Sequence, residues 1–321
     1  MASKPDVVAA PVDVVCLGIL VADTIARPVD GLPPRGSLEL VDEITLHGGG
    51  CALNTASALT RLGLRAGAVG KVGRDPFGDF VIGLLDERGV DRRGVLRDPT
   101  VGTSASVVLV EAGGERTFLH VPGANGYVRA DELDPDVLYA GRTLHVAGAL
   151  VMPELDGEPT AALLAEARAR GLLTSLDTVW DATGRWERVV PSLPHLDLIA
   201  PSLAEGRAIS GRETPADVAA WLREAGVGAV ALKMGAEGCY VSGDGFEGPI
   251  DAPSVAVVDG TGSGDAFVAG LLYGLLTGWP LERAAALATA AGALAVTAVG
   301  AVEGVRGLDG TLALAGLEPD D

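Results

Sequence analysis

Basic residues and cysteine are what this chain of 321 residues is short of. It has 24 Lys and Arg against 43 Asp and Glu, a formal net charge of −19, and no Lys/Arg cluster. A general nucleic-acid binder meets phosphates with a basic stripe or patch, so that class is excluded. Any anionic ligand must be held by local amides and a metal ion, not by the field of the whole molecule. Cys16, Cys51 and Cys239 lie far apart and form no C-x-x-C, which argues against a disulfide framework and a zinc site. Cys51 adjoins a glycine triplet; it either lines a pocket or is a small buried thiol. No signal-peptide pattern opens the chain, and a cytoplasmic protein is expected. Two uncharged runs, 266–281 and 284–302, resemble membrane spans, but the first is short and the second is rich in Ala, Gly and Thr. Both read as helices buried in a large soluble core, so no membrane partner is expected. Internal repeats and low-complexity linkers are also absent.

What is abundant is hydrophobic residues, 48%, and glycine, 45 residues, a composition suited to a packed α/β protein with many tight turns. The run 12–20 is apolar throughout, as in a central parallel strand, and Asp23 follows its C-terminal end. Ligands of open α/β sheets bind outside the carboxyl ends of strands, which places Asp23 well to face a substrate. A helix is expected over 52–62, closed by Gly63, a strand over 66–72, and a helix over 79–88, ended by Gly89. The segment 26–47 bears Pro and Gly and is extended over 37–45. Two further extended runs, 103–111 and 115–121, flank Ala112-Gly113-Gly114 and signal a β-hairpin. With the extended segment, the hairpin forms a small sheet standing off the main domain. From Thr143 strands and helices alternate, which predicts a parallel sheet with helices on both faces.

The most informative stretch is Asp259-Gly260-Thr261-Gly262-Ser263-Gly264-Asp265. It lies between Val255-Ala256-Val257-Val258, read as a short buried strand, and a long apolar helix. The first turn of a helix offers unpaired N–H groups and a partial positive charge, a ready anion site. An aspartate inside an anion site repels what the amides attract. Its presence makes sense if Asp265 takes a proton from a nucleophile while the amides stabilise charge on a phosphoryl group. Other nucleotide-binding loops do not fit. Arg65 and Val72 break a G-x-x-x-x-G-K-[ST] loop at Gly70-Lys71, and Phe267 stands where a dinucleotide fingerprint needs glycine.

This heptad is similar to the D-T-x-G-A-G-D signature of ribokinase-like carbohydrate kinases of the phosphofructokinase-B type. Gly48-Gly49-Gly50-Cys51-Ala52-Leu53-Asn54 resembles that family's N-terminal G-G-x-x-x-N signature. Gly73-Arg74-Asp75-Pro76-Phe77-Gly78 looks like the G-x-D-x-x-G loop after it. Two motifs in the expected order are far more specific than either alone. The resemblance implies a ribokinase-like three-layer α/β sandwich with a mostly parallel central sheet and a small β lid. The core would comprise 1–22, 48–102 and 124–321, and the lid 23–47 and 103–123. It implies an ATP-dependent sugar kinase that needs Mg²⁺; Asp259 and Thr261 resemble positions near a monovalent-cation site, for an ion such as K⁺, or are turn and cap residues.

Residue by residue, the resemblance makes Asp265 the general base and gives the anion-hole amides to Gly262, Ser263 and Gly264. Gly49, Gly50 and Asn54 match the sugar-binding signature, with Asp23 beside them. Pro201-Ser202-Leu203-Ala204-Glu205 resembles the N-x-x-E motif associated with magnesium, with Ser202 in place of asparagine and Glu205 kept. Lys233, Gly235 and Gly238 stand in a loop similar to the nucleotide-side loop, and Thr289 stands where many members carry an asparagine near adenine. Asp177-Thr178-Val179-Trp180-Asp181 departs from a D-x-N-x-R pattern. The missing arginine weighs against a carboxylated or phosphorylated substrate and for a neutral sugar. A nucleoside kinase of the same fold and a non-catalytic sugar-sensing protein are the alternatives. A lid sheet with an open edge allows a homodimer.

Overall fold

In the computed structural model, described for residues 12–113, 115–243 and 245–318, two sheets of unequal size carry the chain. The N-terminal half contains strands β1 (Val14–Gly18), β2 (Val21–Arg27) and β3 (Glu43–Gly49), helix α1 (Cys51–Arg61), β4 (Ala66–Gly73), α2 (Pro76–Glu87) and β5 (Asp91–Asp98), followed by β6 (Ala105–Val110) and β7 (Arg116–Val121). Next come α3 (Pro135–Leu138), β8 (Thr143–Ala149), α4 (Glu158–Ala169), β9 (Leu173–Thr178), β10 (Leu198–Ile199), α5 (Leu203–Ser210) and α6 (Pro215–Glu224). The C-terminal part contains β11 (Ala229–Lys233), β12 (Cys239–Gly243), β13 (Phe246–Ile250), α7 (Ser263–Leu276), α8 (Leu281–Ala295) and α9 (Leu308–Ala315).

The large sheet has the order β13-β12-β11-β10-β9-β8-β1-β4-β5. Pairing is parallel from β5 to β11, and antiparallel between β11 and β12 and between β12 and β13. Side chains alternate across the strands, so each central strand feeds two cores. Val14 and Cys16 of β1 face one core, built with α1, α2, α7 and α8. Val15 and Leu17 face the other, built with α4 and α6. This is the three-layer α/β arrangement. The smaller sheet has the order β3-β2-β6-β7, with β2 and β6 parallel and the outer pairs antiparallel.

α7 and α8 owe their burial to small residues. A β-carbon on Gly270 would lie 2.8 Å from the Ala288 α-carbon, so the two backbones are in near contact. No helix among the described residues is long and apolar enough to cross a membrane.

Polar groups pin the base of the small sheet. Buried Asn125 accepts from Leu20 N at 3.1 Å and donates to Leu20 O at 3.0 Å, bracketing the chain between β1 and β2. Asp75 caps α2 through Gly78 N at 2.8 Å and also accepts from Thr103 N at 2.7 Å, just before β6. The G-x-D-x-x-G loop therefore joins the two sheets.

Two expectations change. Residues 255–258 form no strand: Val257 is 71% and Val258 58% exposed, in a loop whose nearby backbone bonds run from Val258 N and Asp259 N to Val296 O. The β-branched run suggested burial, but it pairs with no strand. The signature heptad thus lies at a loop-to-helix junction, not a strand-to-helix one. In the lid segment β3 begins at Glu43, and residues 37–42 lie outside any strand.

Candidate active site

Gly262 is the N-cap of α7 with φ 73°, a left-handed conformation, and a β-carbon there would collide with the carbonyl of Ala301. Glycine therefore lets α7 start against this neighbour, with Ser263, Gly264 and Asp265 in its first turn. Asp265 is 8% exposed, and its Oδ2 accepts from Asn54 Nδ2 at 2.8 Å. Burial raises the Asp265 carboxyl above its ordinary value; the Asn54 hydrogen bond, the Lys233 charge and a bond from the Cys51 thiol pull it back. A buried carboxylate beside helix amides can accept a proton from a hydroxyl brought against it. Asn54 Oδ1 is buried without a partner among the described residues.

Behind the α7 N-terminus stands Lys233, at the end of β11. Its Nζ donates to Asp177 Oδ1 at 2.6 Å and would lie 3.2 Å from a β-carbon on Gly264. Burial opposes the ammonium charge, but Asp177, Glu205 and Asp265 outweigh it and hold the Lys233 pKa above its usual value. Burial lifts the Asp177 carboxyl to about 7, with Lys233 pulling it down. Glu205 Oε2 accepts from Thr178 Oγ1 at 2.9 Å and from Ser202 N at 2.8 Å, while Ser202 Oγ accepts from Glu205 N. Ser202, in the asparagine position, is thus the N-cap of α5 in a reciprocal capping box with Glu205.

Two clefts meet at this helix start. One, of about 370 Å³, is lined by Lys233, Gly235, Gly238, Ser263, Gly264 and Thr289, with Phe267 and Val296 among its apolar walls. The predicted nucleotide-side residues are therefore together. The Thr289 hydroxyl donates to Ala286 O at 2.9 Å. The other cleft, of about 400 Å³, lies under the small sheet and is lined by Asp23, Arg27, His47, Arg116, Phe118, Asp259, Gly260 and Thr261.

In this second cleft the register aligns His47, Asp23, Ser106 and His120 in one row across β3, β2, β6 and β7. Asp23 accepts from Ser106, whose oxygen is 3.0 Å from His120 Nδ1. Burial raises the Asp23 carboxyl; the Ser106 bond and the two histidines act against this. The Asp23 carboxylate lies so close to Gly49 that a β-carbon there would strike it, and Gly50, with φ 89°, caps α1 against the Ile19 carbonyl. Asp259 and Thr261 bond to each other and to Arg116.

Asp177 and Arg116 are the site residues sequence reasoning missed. Asp177 ends a central strand, a signal that could have found it; Arg116 sits in the hairpin with no local mark of its role. Asp181, where an arginine was missing, accepts from Thr183 N and Arg185 N and so stays in its own turn.

The chain matches the description "pfkB family carbohydrate kinase" over residues 12–306, and it belongs to that family. It is therefore an enzyme of the carbohydrate kinase class. It is 31% identical over 284 residues to a 2-dehydro-3-deoxygluconokinase of Bacillus subtilis (strain 168), covering 84% of this chain and 87% of the relative. It is 35% identical over 269 residues to a fructokinase of Klebsiella pneumoniae, covering 79% and 87%. A putative ribokinase II from E. coli, solved in complex with ATP and Mg²⁺, superposes with a TM-score of 0.82 at 25% identity, over 94% of this chain and 98% of that one. An Arabidopsis thaliana ribokinase shares the fold with a TM-score of 0.82 at 24% identity, over 96% and 100%. The architecture is thus ribokinase-like.

Proposed function

We propose that this protein transfers the γ-phosphoryl group of ATP to a hydroxyl of a neutral sugar. The observation that carries this reading is that the start of α7 separates two clefts. Asp259, Gly260 and Thr261 line one, Ser263 and Gly264 line the other, and Asp265 follows at once. ATP would occupy the apolar cleft with its phosphates at the α7 amides, and the sugar would lie under the small sheet, which acts as a lid. Asp265 takes the proton of the hydroxyl. The oxygen forms its bond to the γ-phosphorus as the bond to the ADP oxygen breaks, and the amides of Gly262, Ser263 and Gly264 receive the developing charge.

Magnesium fits this site. Glu205, fixed in orientation by Thr178 and Ser202, is a hard oxygen donor beside Lys233, and Mg²⁺ is commonly held by one or two carboxylates plus substrate phosphates and water. When bound, the ion would supply positive charge to the phosphates. A neutral sugar is supported by the charges of the lid cleft. Arg27 is paired with Glu43 and Arg116 with Asp259, which leaves Asp23 as a carboxylate facing the cleft with hydroxyl-type partners. Asn54, whose Nδ2 serves Asp265, keeps Oδ1 for a sugar hydroxyl.

The outer face of the lid carries Ile44, Leu46, Val107 and Leu119, all exposed, on the side of the sheet opposite Asp23. A second copy of the chain packed on this face would bury them, and a homodimer is the assembly we assign. The three unpaired cysteines suit a reducing, cytoplasmic setting.

The test is ATP turnover across a panel of neutral sugars, sugar acids and nucleosides, with Asp23→Ala alongside. Neutral sugars should turn over best, and Asp23→Ala should weaken sugar binding by about 1.5–3 kcal/mol while leaving ATP binding nearly unchanged. Preference for a nucleoside or a sugar acid overturns the substrate class. Absence of turnover with every acceptor favours a sensing role over catalysis.

A further inference from the structure

Arg116 stands on β7, the edge strand of the lid, and its side chain crosses to the loop before α7. Nη1 donates to Asp259 Oδ1 at 3.0 Å and to Thr261 Oγ1 at 2.7 Å, and Nη2 is 3.2 Å from where a β-carbon on Gly260 would stand. Asp259 Oδ1 also accepts from Thr261 N at 2.9 Å and Thr261 Oγ1 at 2.7 Å, and Oδ2 accepts from Gly300 N at 3.1 Å. Both oxygens of this carboxylate are therefore engaged, and the positive charge beside it belongs to the protein. Family resemblance places Asp259 and Thr261 near a monovalent-cation site. Such an ion needs oxygen lone pairs, and these two residues have turned theirs toward N–H and O–H donors. As folded, they do not fit it.

We infer that Arg116 is the resident cation of the phosphate-binding loop, a positioning residue that fixes 259–261 from the lid in place of an alkali ion. Apart from the bonds of Val258 N and Asp259 N to Val296 O and of Ser263 Oγ to Gly260 O, the loop lacks regular structure to order it. Val257 and Val258 are exposed, and no strand or helix holds residues 251–262. Asp259 ties together its own backbone, Thr261, Gly300 and the lid, and that network sets the position from which α7 begins. A guanidinium suits the task because Nη1 alone serves both acceptors while the planar, permanently charged group lies against Gly260, which a lysine ammonium on a flexible stem does less well. Seating of the lid and order of the anion-binding turn then become one event.

The rate arm of the test rests on the kinase reading; the exchange arm does not. Rates are compared in potassium chloride and in tetramethylammonium chloride at equal ionic strength, for the native protein, Arg116→Ala and Arg116→Lys. Hydrogen exchange of residues 257–264 is followed without substrate in the same salts. The native protein should run at the same rate in both salts, within about twofold. Arg116→Ala should lose about 10–100-fold in kcat in tetramethylammonium, with a smaller change in sugar KM, and recover part of it with potassium or added guanidinium. Its 257–264 amides should exchange faster, with Arg116→Lys intermediate. Strong potassium stimulation of the native rate, or potassium-induced protection of its loop, overturns the inference. So does an Arg116→Ala loop that exchanges like the native one, or a variant that loses only sugar affinity. If the native protein turns over no acceptor, the kinase reading fails and the exchange arm alone decides.

Discussion

Asn54 Nδ2 donates to Asp265 Oδ2 across 211 residues of sequence, so the helix that follows strand β3 of the small sheet holds the carboxylate at the start of α7. The hydrogen bond favours the ionised form of a group that burial pushes toward the protonated one. The residue matched to sugar binding therefore has a second duty, favouring the charged form of the proposed base.

Asp265→Asn removes the proposed proton acceptor and keeps the shape. The expected outcome is a loss in kcat of about 10²–10⁴, with Tm and ATP affinity close to native. Steady-state kinetics beside a thermal melt and a nucleotide titration check it; near-native turnover would remove Asp265 from the role of base.

Asn54→Ala should alter the pH profile as well as the rate. Without the donor the Asp265 carboxyl rises further, so the acid limb of kcat against pH moves to higher pH. The lost bond to a charged partner costs about 1–3 kcal/mol. An unmoved limb with a raised sugar KM would restrict Asn54 to sugar binding.

Asp177→Asn tests the buried pair. The Asp177 carboxyl binds its proton at about 7 in the folded protein, against about 4 when unfolded. Between those values the folded state holds the extra proton. This contribution to stability is full below about pH 4 and is lost as pH rises to about 7. In the variant Lys233 loses its partner, and its own burial makes low pH worse for the fold. The native protein should melt higher than the variant, and the gap should narrow from about pH 5 to about pH 8. Melting curves at the two pH values check this, and a widening gap contradicts it.

Activity should vanish in EDTA and return with Mg²⁺ or Mn²⁺. Glu205→Gln keeps the capping box, because a glutamine can serve the Ser202 amide. It should raise the metal requirement by about 10–100-fold with Tm little changed. Metal titrations at saturating ATP measure it, and full activity without a divalent ion would refute the proposed neutralisation.

Much of this was legible in the chain because local chemistry forced it. Only glycine tolerates the Gly262 position, and an aspartate three residues later has few reasons to stand among helix amides. Lys233, Gly235, Gly238 and Thr289, matched to the family's nucleotide-side positions, line one cleft. What escaped detection was non-local or weakly patterned. Strand β5, reading DRRGVLRD, is an edge strand with no apolar alternation, and β13 carries Gly248 and Pro249, tolerated there because it is also an edge. The Val255–Val258 run has strand composition without a sheet to join. Arg116 and Asp259 are 143 residues apart, and only the fold brings the charges together.

The near contact of α7 and α8 at Gly270 divides the molecule by its freedom to evolve. Backbone lies on backbone there, so a side chain added at Gly270 displaces the helix whose first turn holds Asp265. Drift around the start of α7 is therefore closed off at a distance from it. The inward-facing positions of β2, β6 and β7 other than Arg116 border an open cleft, where a changed side chain meets open space before it meets core. A lineage exploring new acceptors would alter these positions and keep Arg116, so one frame can be inherited by enzymes with different diets.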